Sequence, residues 1–163
     1  MVGTAGPVAD RQRSLAELLD REVLPCLERP GRLLGPFDLP SATVTGKTKM
    51  ALVWPSIAEG AHAPAALRPL FVGLPNPRSF SLSLGTVPSP NLRAALRARD
   101  LPLFGRPDWT SLDAMDLWVV WFDHPLQLTG LLTILEACGL ALRADQRQGG
   151  PRIVAAGPAA QRV

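Results

Sequence analysis

Apolar residues fall in short clusters along the chain, separated by proline and glycine, and the spacing within the clusters alternates between strand-like and helix-like. Met50-Ala51-Leu52-Val53-Trp54 is a continuous apolar run stopped by Pro55, the pattern of a buried strand. Phe80 to Leu84 alternates apolar and polar positions, as a strand nearer a sheet edge does. Leu117-Trp118-Val119-Val120-Trp121-Phe122 is apolar on both faces, which predicts a central strand. Ile153-Val154-Ala155-Ala156 is the last strand, ended by Gly157 and Pro158.

Between these runs the period lengthens to that of a helix. Pro64 to Phe71 predicts a helix with its proline tolerated in the first turn. Asn91 is the predicted cap of a helix running to about Arg99, with Leu92, Ala95 and Leu96 on one face. Leu126 to Leu140 predicts a long apolar helix closed by Gly139, with Asp123 as its cap and Pro125 at its first position. Upstream, Ser14-Leu15-Ala16-Glu17 is a capping-box pattern, and Leu15, Leu18, Leu19 and Val23 follow at helical spacing to near Pro25. Residues 1–13 read as a disordered terminus. Residues 14–160 read as one α/β domain, of which 14–46 are the helix and a Pro/Gly-rich lead-in.

The order β-α-β-α-β-α-β predicts a three-layer, doubly wound, mainly parallel sheet of four strands, flavodoxin-like in layout. Domains of that kind carry at least one further β-α unit, so the expectation is a truncated version. Ligands in such sheets bind beyond the carboxyl ends of the strands. Here those ends are residues 55–64, 86–91, 123–127 and 157–159.

Composition narrows the field. A length of 163 residues suits one domain, and 47% hydrophobic with 19% charged residues fits a folded chain. The apolar runs are far too short for a bilayer span and no secretion-signal pattern opens the chain, so a cytoplasmic protein without a membrane span is expected. The net charge of +3 is spread over arginines set among acids and prolines, without the dense basic stripe and interleaved aromatics of a nucleic-acid binder. Cys26 and Cys138 lie far apart with no C-x-x-C partner, which predicts two buried free thiols and argues against zinc or iron–sulfur ligation.

Candidate chemistry is sparse. Gly46-Lys47-Thr48 resembles the end of a phosphate-binding loop, but Ser41 stands where that motif needs glycine, and a strand follows where it needs a helix. No G-x-G-x-x-G follows a strand. Glu59 and His62 fall in the first βα loop, and Asp123 with His124 ends the strongest strand without a serine or cysteine nucleophile beside it. Trp54, Trp118 and Trp121 read as core, with Trp54 and Trp121 close to the ligand-binding edge.

Longer stretches carry a family resemblance. Leu27-Glu28-Arg29-Pro30-Gly31-Arg32-Leu33-Leu34-Gly35 followed by Ala51-Leu52-Val53-Trp54-Pro55 resembles the entry to large radical S-adenosylmethionine proteins that begin with a cobalamin-binding-like domain. Pro90-Asn91-Leu92-Arg93-Ala94-Ala95-Leu96-Arg97-Ala98-Arg99-Asp100-Leu101-Pro102-Leu103-Phe104 is similar to the second helix of those domains and its exit. The stretch from Asp116 to Phe122, the helix end Leu135-Glu136-Ala137-Cys138-Gly139-Leu140-Ala141-Leu142-Arg143, and Pro151-Arg152-Ile153-Val154-Ala155-Ala156-Gly157-Pro158 continue the likeness over about residues 24–160.

The resemblance implies a cobalamin-binding-like fold, and the departures from the family bear on activity. The C-x-x-x-C-x-x-C loop that holds the family's cluster is missing from the chain. Pro55 to His62 does not carry the Asp-x-His-x-x-Gly of cobalt-ligating domains, and Ser56 stands where the family has an acidic residue. The expectation is a non-catalytic accessory module, without metal or cofactor, that docks on a larger protein or multi-subunit complex such as a radical S-adenosylmethionine enzyme. The alternative is a corrinoid-binding domain of a split enzyme, with Ser56, Glu59, His62, Asp123 and His124 as its cofactor-binding residues. An enzyme built on Asp123 and His124 ranks third.

Overall fold

The computed structural model describes residues 15–28, 48–57, 67 and 80–162. Within them β1 (Thr48–Ile57), β2 (Phe80–Val87), β3 (Leu117–Trp121) and β4 (Arg152–Ala156) form one sheet in the order β2-β1-β3-β4. Every pairing is parallel. The apolar runs of β1 and β3 are the inner strands and the alternating β2 lies at an edge, as their patterns predict, whereas β4, although Ile153–Ala156 is apolar throughout, lies at the other edge and is largely exposed. Helices α1 (Pro90–Arg97) and α2 (Leu128–Ala137) follow β2 and β3.

β1 continues beyond Trp54, through the proline expected to stop it, to Ile57. Its register against β2 shifts between Trp54 and Ile57, and an irregularity of that kind accommodates a residue with no N–H to give the ladder. Thr48 opens this strand, so no helix follows Lys47 and the phosphate-loop pattern is a chance tripeptide.

Register assigns the side chains to two faces. Leu84, Leu52, Val119 and Val154 stand side by side across all four strands. They share a face with Trp54 and Leu82, and Leu67, fully buried, packs on that side. Ala51, Val53, Trp118 and Val120 point the other way, into a core with Leu19 and Val23, Leu92 and Leu96 of α1, and Ile134 and Leu135 of α2. The connections that follow β2 and β3 thus share one face, while Leu67, between β1 and β2, lies on the opposite one. Right-handed crossovers in a sheet of this order require that arrangement.

The two edges are treated differently. Outside β2, the Leu84 amide donates to the Arg106 carbonyl at 2.7 Å, and the Arg106 amide returns a bond to the Leu84 carbonyl at 3.0 Å. This bonded segment belongs to a loop in which Asp108 accepts from Ser83 Oγ at 2.7 Å and Thr110 Oγ1 at 2.8 Å. Burial lowers the affinity of the Arg106 guanidinium for its proton. Outside β4 no strand pairs among the described residues, and Val154 is 51% exposed.

Several local expectations are corrected. Ser89, not Asn91, caps α1: its hydroxyl accepts from the Leu92 amide, and Pro90 takes the first helical position, where a missing N–H costs nothing. The α-helical part of the predicted 126–140 helix is Leu128–Ala137, preceded by a 3-10 turn, Pro125–Gln127, whose N-cap is His124 rather than Asp123. Cys26 is exposed rather than buried, and Cys138 is partly buried; both are free thiols. Among the described residues the N-terminal helix is α-helical at 15–18, then passes into a π-helical turn, Leu19–Val23, and a 3-10 turn, Leu24–Cys26. Residues 1–14, the 29–46 lead-in and the predicted 64–71 helix apart from Leu67 lie outside the described residues. No helix among the described residues is long and apolar enough to cross a membrane.

Candidate functional site

In a sheet ordered β2-β1-β3-β4 the chain reverses its direction of winding between β1 and β3, and the crevice beyond their carboxyl ends is where α/β domains take ligands. Trp54 and Ser56 come from β1. Trp121 ends β3, and Asp123 follows two residues later. The Asp123 carboxylate accepts from Trp54 Nε1 at 3.0 Å through Oδ2 and from Trp121 Nε1 at 2.9 Å through Oδ1. A carboxylate that receives one N–H on each oxygen is held in a fixed plane, and such charge-assisted bonds are about twice as strong as neutral ones.

Gln127 completes the arrangement. Its side-chain oxygen accepts from the Asp123 amide at 2.7 Å and the His124 amide at 3.4 Å, tying down the turn before α2. Its amide nitrogen donates to Ser56 Oγ at 2.9 Å and lies 3.4 Å from Asp123 Oδ2. The residue is 4% exposed, and a buried amide is held in place only when its donors and acceptor are matched. One turn further, Gly130 packs on the end of β1. A Cβ there would come within 2.9 Å of the Pro55 carbonyl carbon and 3.0 Å of Val87 Cγ2, so only glycine lets α2 approach this closely.

Ser56 and Asp123, two of the residues expected to bind a cofactor, are therefore brought together through Gln127. His124 is exposed and enters the network by its backbone amide. Glu59 and His62 lie outside the described residues. In the sequence Gln127 stands out only as the end of the 123–127 stretch, and no motif marks Gly130 as part of the site. An isolated glycine inside an otherwise apolar helical run was the available signal for a close packing contact.

Chemically, the cluster is an anchored acceptor. Both Asp123 oxygens meet indole donors, not an imidazole, and the Ser56 hydroxyl accepts from an amide, so neither geometry is that of a nucleophile with its base. No group of three or more metal-ligating side chains occurs among the described residues. Burial pushes the Cys138 thiol well above its ordinary range, with the negative charge of Asp113 adding in the same direction, which suppresses the reactive thiolate. Comparison of the chain with protein-family models, with curated proteins and with solved structures found no match.

Proposed function

We propose that the chain is a non-catalytic interaction module, derived from a cobalamin-binding-like domain of the radical S-adenosylmethionine type, that docks on a larger protein. The observation that carries this reading is the state of the β1–β3 crevice. Asp123, Gln127 and Gly130 occupy the place where a relative of this fold would admit a cofactor, and their polar groups are matched by Trp54, Trp121 and Ser56. A ligand entering there has to break three side-chain hydrogen bonds that the protein makes with itself, two of them to a charged group.

Surface composition supports docking. Ile57, Leu126, Leu128, Leu132, Leu142 and Val154 are all more than a third exposed, and the β4 edge has no partner among the described residues. Exposed apolar side chains, and an unpaired strand edge that carries one of them in Val154, favour association with another chain.

The test is co-expression with the radical S-adenosylmethionine proteins of the same genome, followed by size-exclusion chromatography. A stoichiometric complex with one of them is expected; a chain that remains monodisperse beside all of them overturns the proposal. Titration with hydroxocobalamin separates the corrinoid alternative. The docking module leaves the corrinoid spectrum unchanged, whereas a spectral shift with affinity on the order of micromolar replaces docking by cofactor binding.

A further inference from the structure

A second concavity, distinct from the Asp123 cluster, opens at the carboxyl ends of β1 and β2 as a groove of about 660 Å³ bordered by α1. Ile57 and Val87 come from the strand ends, Ala94 from α1 and Ala98 from the C-cap that closes it. Arg93 and Arg97 also border it, one helical turn apart. Ile57 is 46% exposed, so an apolar strand end faces water there.

Charge in this groove is unbalanced. Arg93 and Arg97 share one carboxylate: Glu136 of α2 lies 2.7 Å from Arg93 Nη2 through Oε2 and 3.3 Å from Arg97 Nη2 through Oε1. Two guanidinium charges against one carboxylate leave a net positive charge on the rim. The Arg97 side chain is 71% exposed, and pairs this open to water are weak enough for a competing carboxylate to exchange with them. Each guanidinium carries five donors in a planar fork suited to carboxylate oxygens. The first turn of α1 has no acidic residue to compete.

We propose that this groove seats an acidic, apolar segment of a partner protein, with an apolar side chain against Ile57, Val87, Ala94 and Ala98 and a carboxylate on Arg93 and Arg97. The proposal rests on the interaction-module reading and names the chemistry of the partner. The groove is open to one side rather than enclosed, which suits a side chain presented by another protein better than a small ligand that has to be surrounded on most of its surface.

A fluorescein-labelled peptide of repeating leucine and glutamate, titrated with the full chain and followed by anisotropy, is the probe. It is expected to bind, and the same peptide with glutamine for glutamate to bind about tenfold more weakly. Arg97→Glu lowers the affinity by about tenfold or more. Glu136→Gln raises it, because the internal competitor is gone. Ala94→Trp fills the groove without changing charge and abolishes binding. Failure of the acidic peptide to bind, an unchanged or weaker affinity in Glu136→Gln, or undiminished binding by Ala94→Trp overturns the proposal in favour of diffuse attraction to a basic chain or none. The two proposals fail separately: a complex with a radical S-adenosylmethionine protein that survives all three substitutions removes the groove and leaves docking. Peptide binding with the expected variant pattern, but no such complex, removes the docking partner and leaves the groove.

Discussion

At the scale of single residues, Asp123 and Gly130 do the most to hold the carboxyl end of the sheet together, and each makes a sharp prediction. Asparagine at position 123 keeps the shape but presents one oxygen and one NH₂ group to two indole donors, so one of the two N–H groups loses its acceptor. Asp123→Asn is expected to cost about 1–3 kcal/mol in urea denaturation, since one indole N–H gives up a charged acceptor and the Trp54 ring is buried. The chain has no tyrosine, so the accompanying change in fluorescence reports tryptophan alone. Gly130→Ala drives a methyl group into the Pro55 backbone, which cannot swing aside as a side chain can, and about 1–3 kcal/mol of destabilisation is expected in the same assay. Cys138 predicts a pH dependence. Its folded pKa is raised, so the native state holds the thiol proton more tightly than the unfolded chain does. That contribution is whole below the unfolded value of about 8.5 and is lost as pH rises above it, at up to about 1.4 kcal/mol per pH unit. Comparing Cys138→Ala with the parent chain across pH 7 to about 10 isolates the slope. The exposed Cys26 thiol is expected to react with Ellman's reagent in the native protein while Cys138 does not.

At the scale of elements, the boundaries show which signals in a sequence are local and which are not. Ser89 caps α1 and Pro90 takes its first helical position, two residues before the Asn91 that the sequence pattern predicts as the cap. Only the position of the first packed turn, with Leu92 and Leu96 buried, selects the serine. Ser89→Ala is expected to cost about 1 kcal/mol by thermal denaturation. Asp123 had the right residue type and place to cap the next helix. It does something else because the indoles of Trp54 and Trp121 sit beside it, one of them 69 residues away in the chain. The link from α1 to α2 through Glu136 is half-exposed and adds at most about 1 kcal/mol. β4 is the element whose surface matters more than its stability. Val154 is half-exposed at the open edge, so Val154→Lys is expected to change the unfolding free energy from urea denaturation by less than about 0.5 kcal/mol. The same substitution lowers self-association measured by light scattering at high concentration, because an edge lysine discourages strand pairing.

At the scale of the whole molecule, the sequence by itself determined the existence, order and kind of the strands. Apolar runs mark β1, β3 and β4 as strands and alternation marks β2 as an edge, because burial on two faces or one is written in the period of the side chains; β4 departs from that rule, since its apolar run lies at the other edge and is largely exposed. Strand alternation with helices, joined to the handedness of L-residues, carried the parallel sheet as well. Tertiary structure alone decided how the crevice between β1 and β3 is occupied. Trp54, Ser56, Asp123 and Gln127 each have an ordinary local explanation, as core, loop, cap or helix start. Their joint role appears only when the β2-β1-β3-β4 order sets the ends of β1 and β3 next to each other. The same holds for the rim of Arg93, Arg97 and Glu136, whose charges come from two helices packed on one face. Local patterning reports how deeply a residue is buried, since burial acts on each side chain separately. Hydrogen bonds and ion pairs between distant residues depend on distance and direction in space, and only the packed chain supplies those.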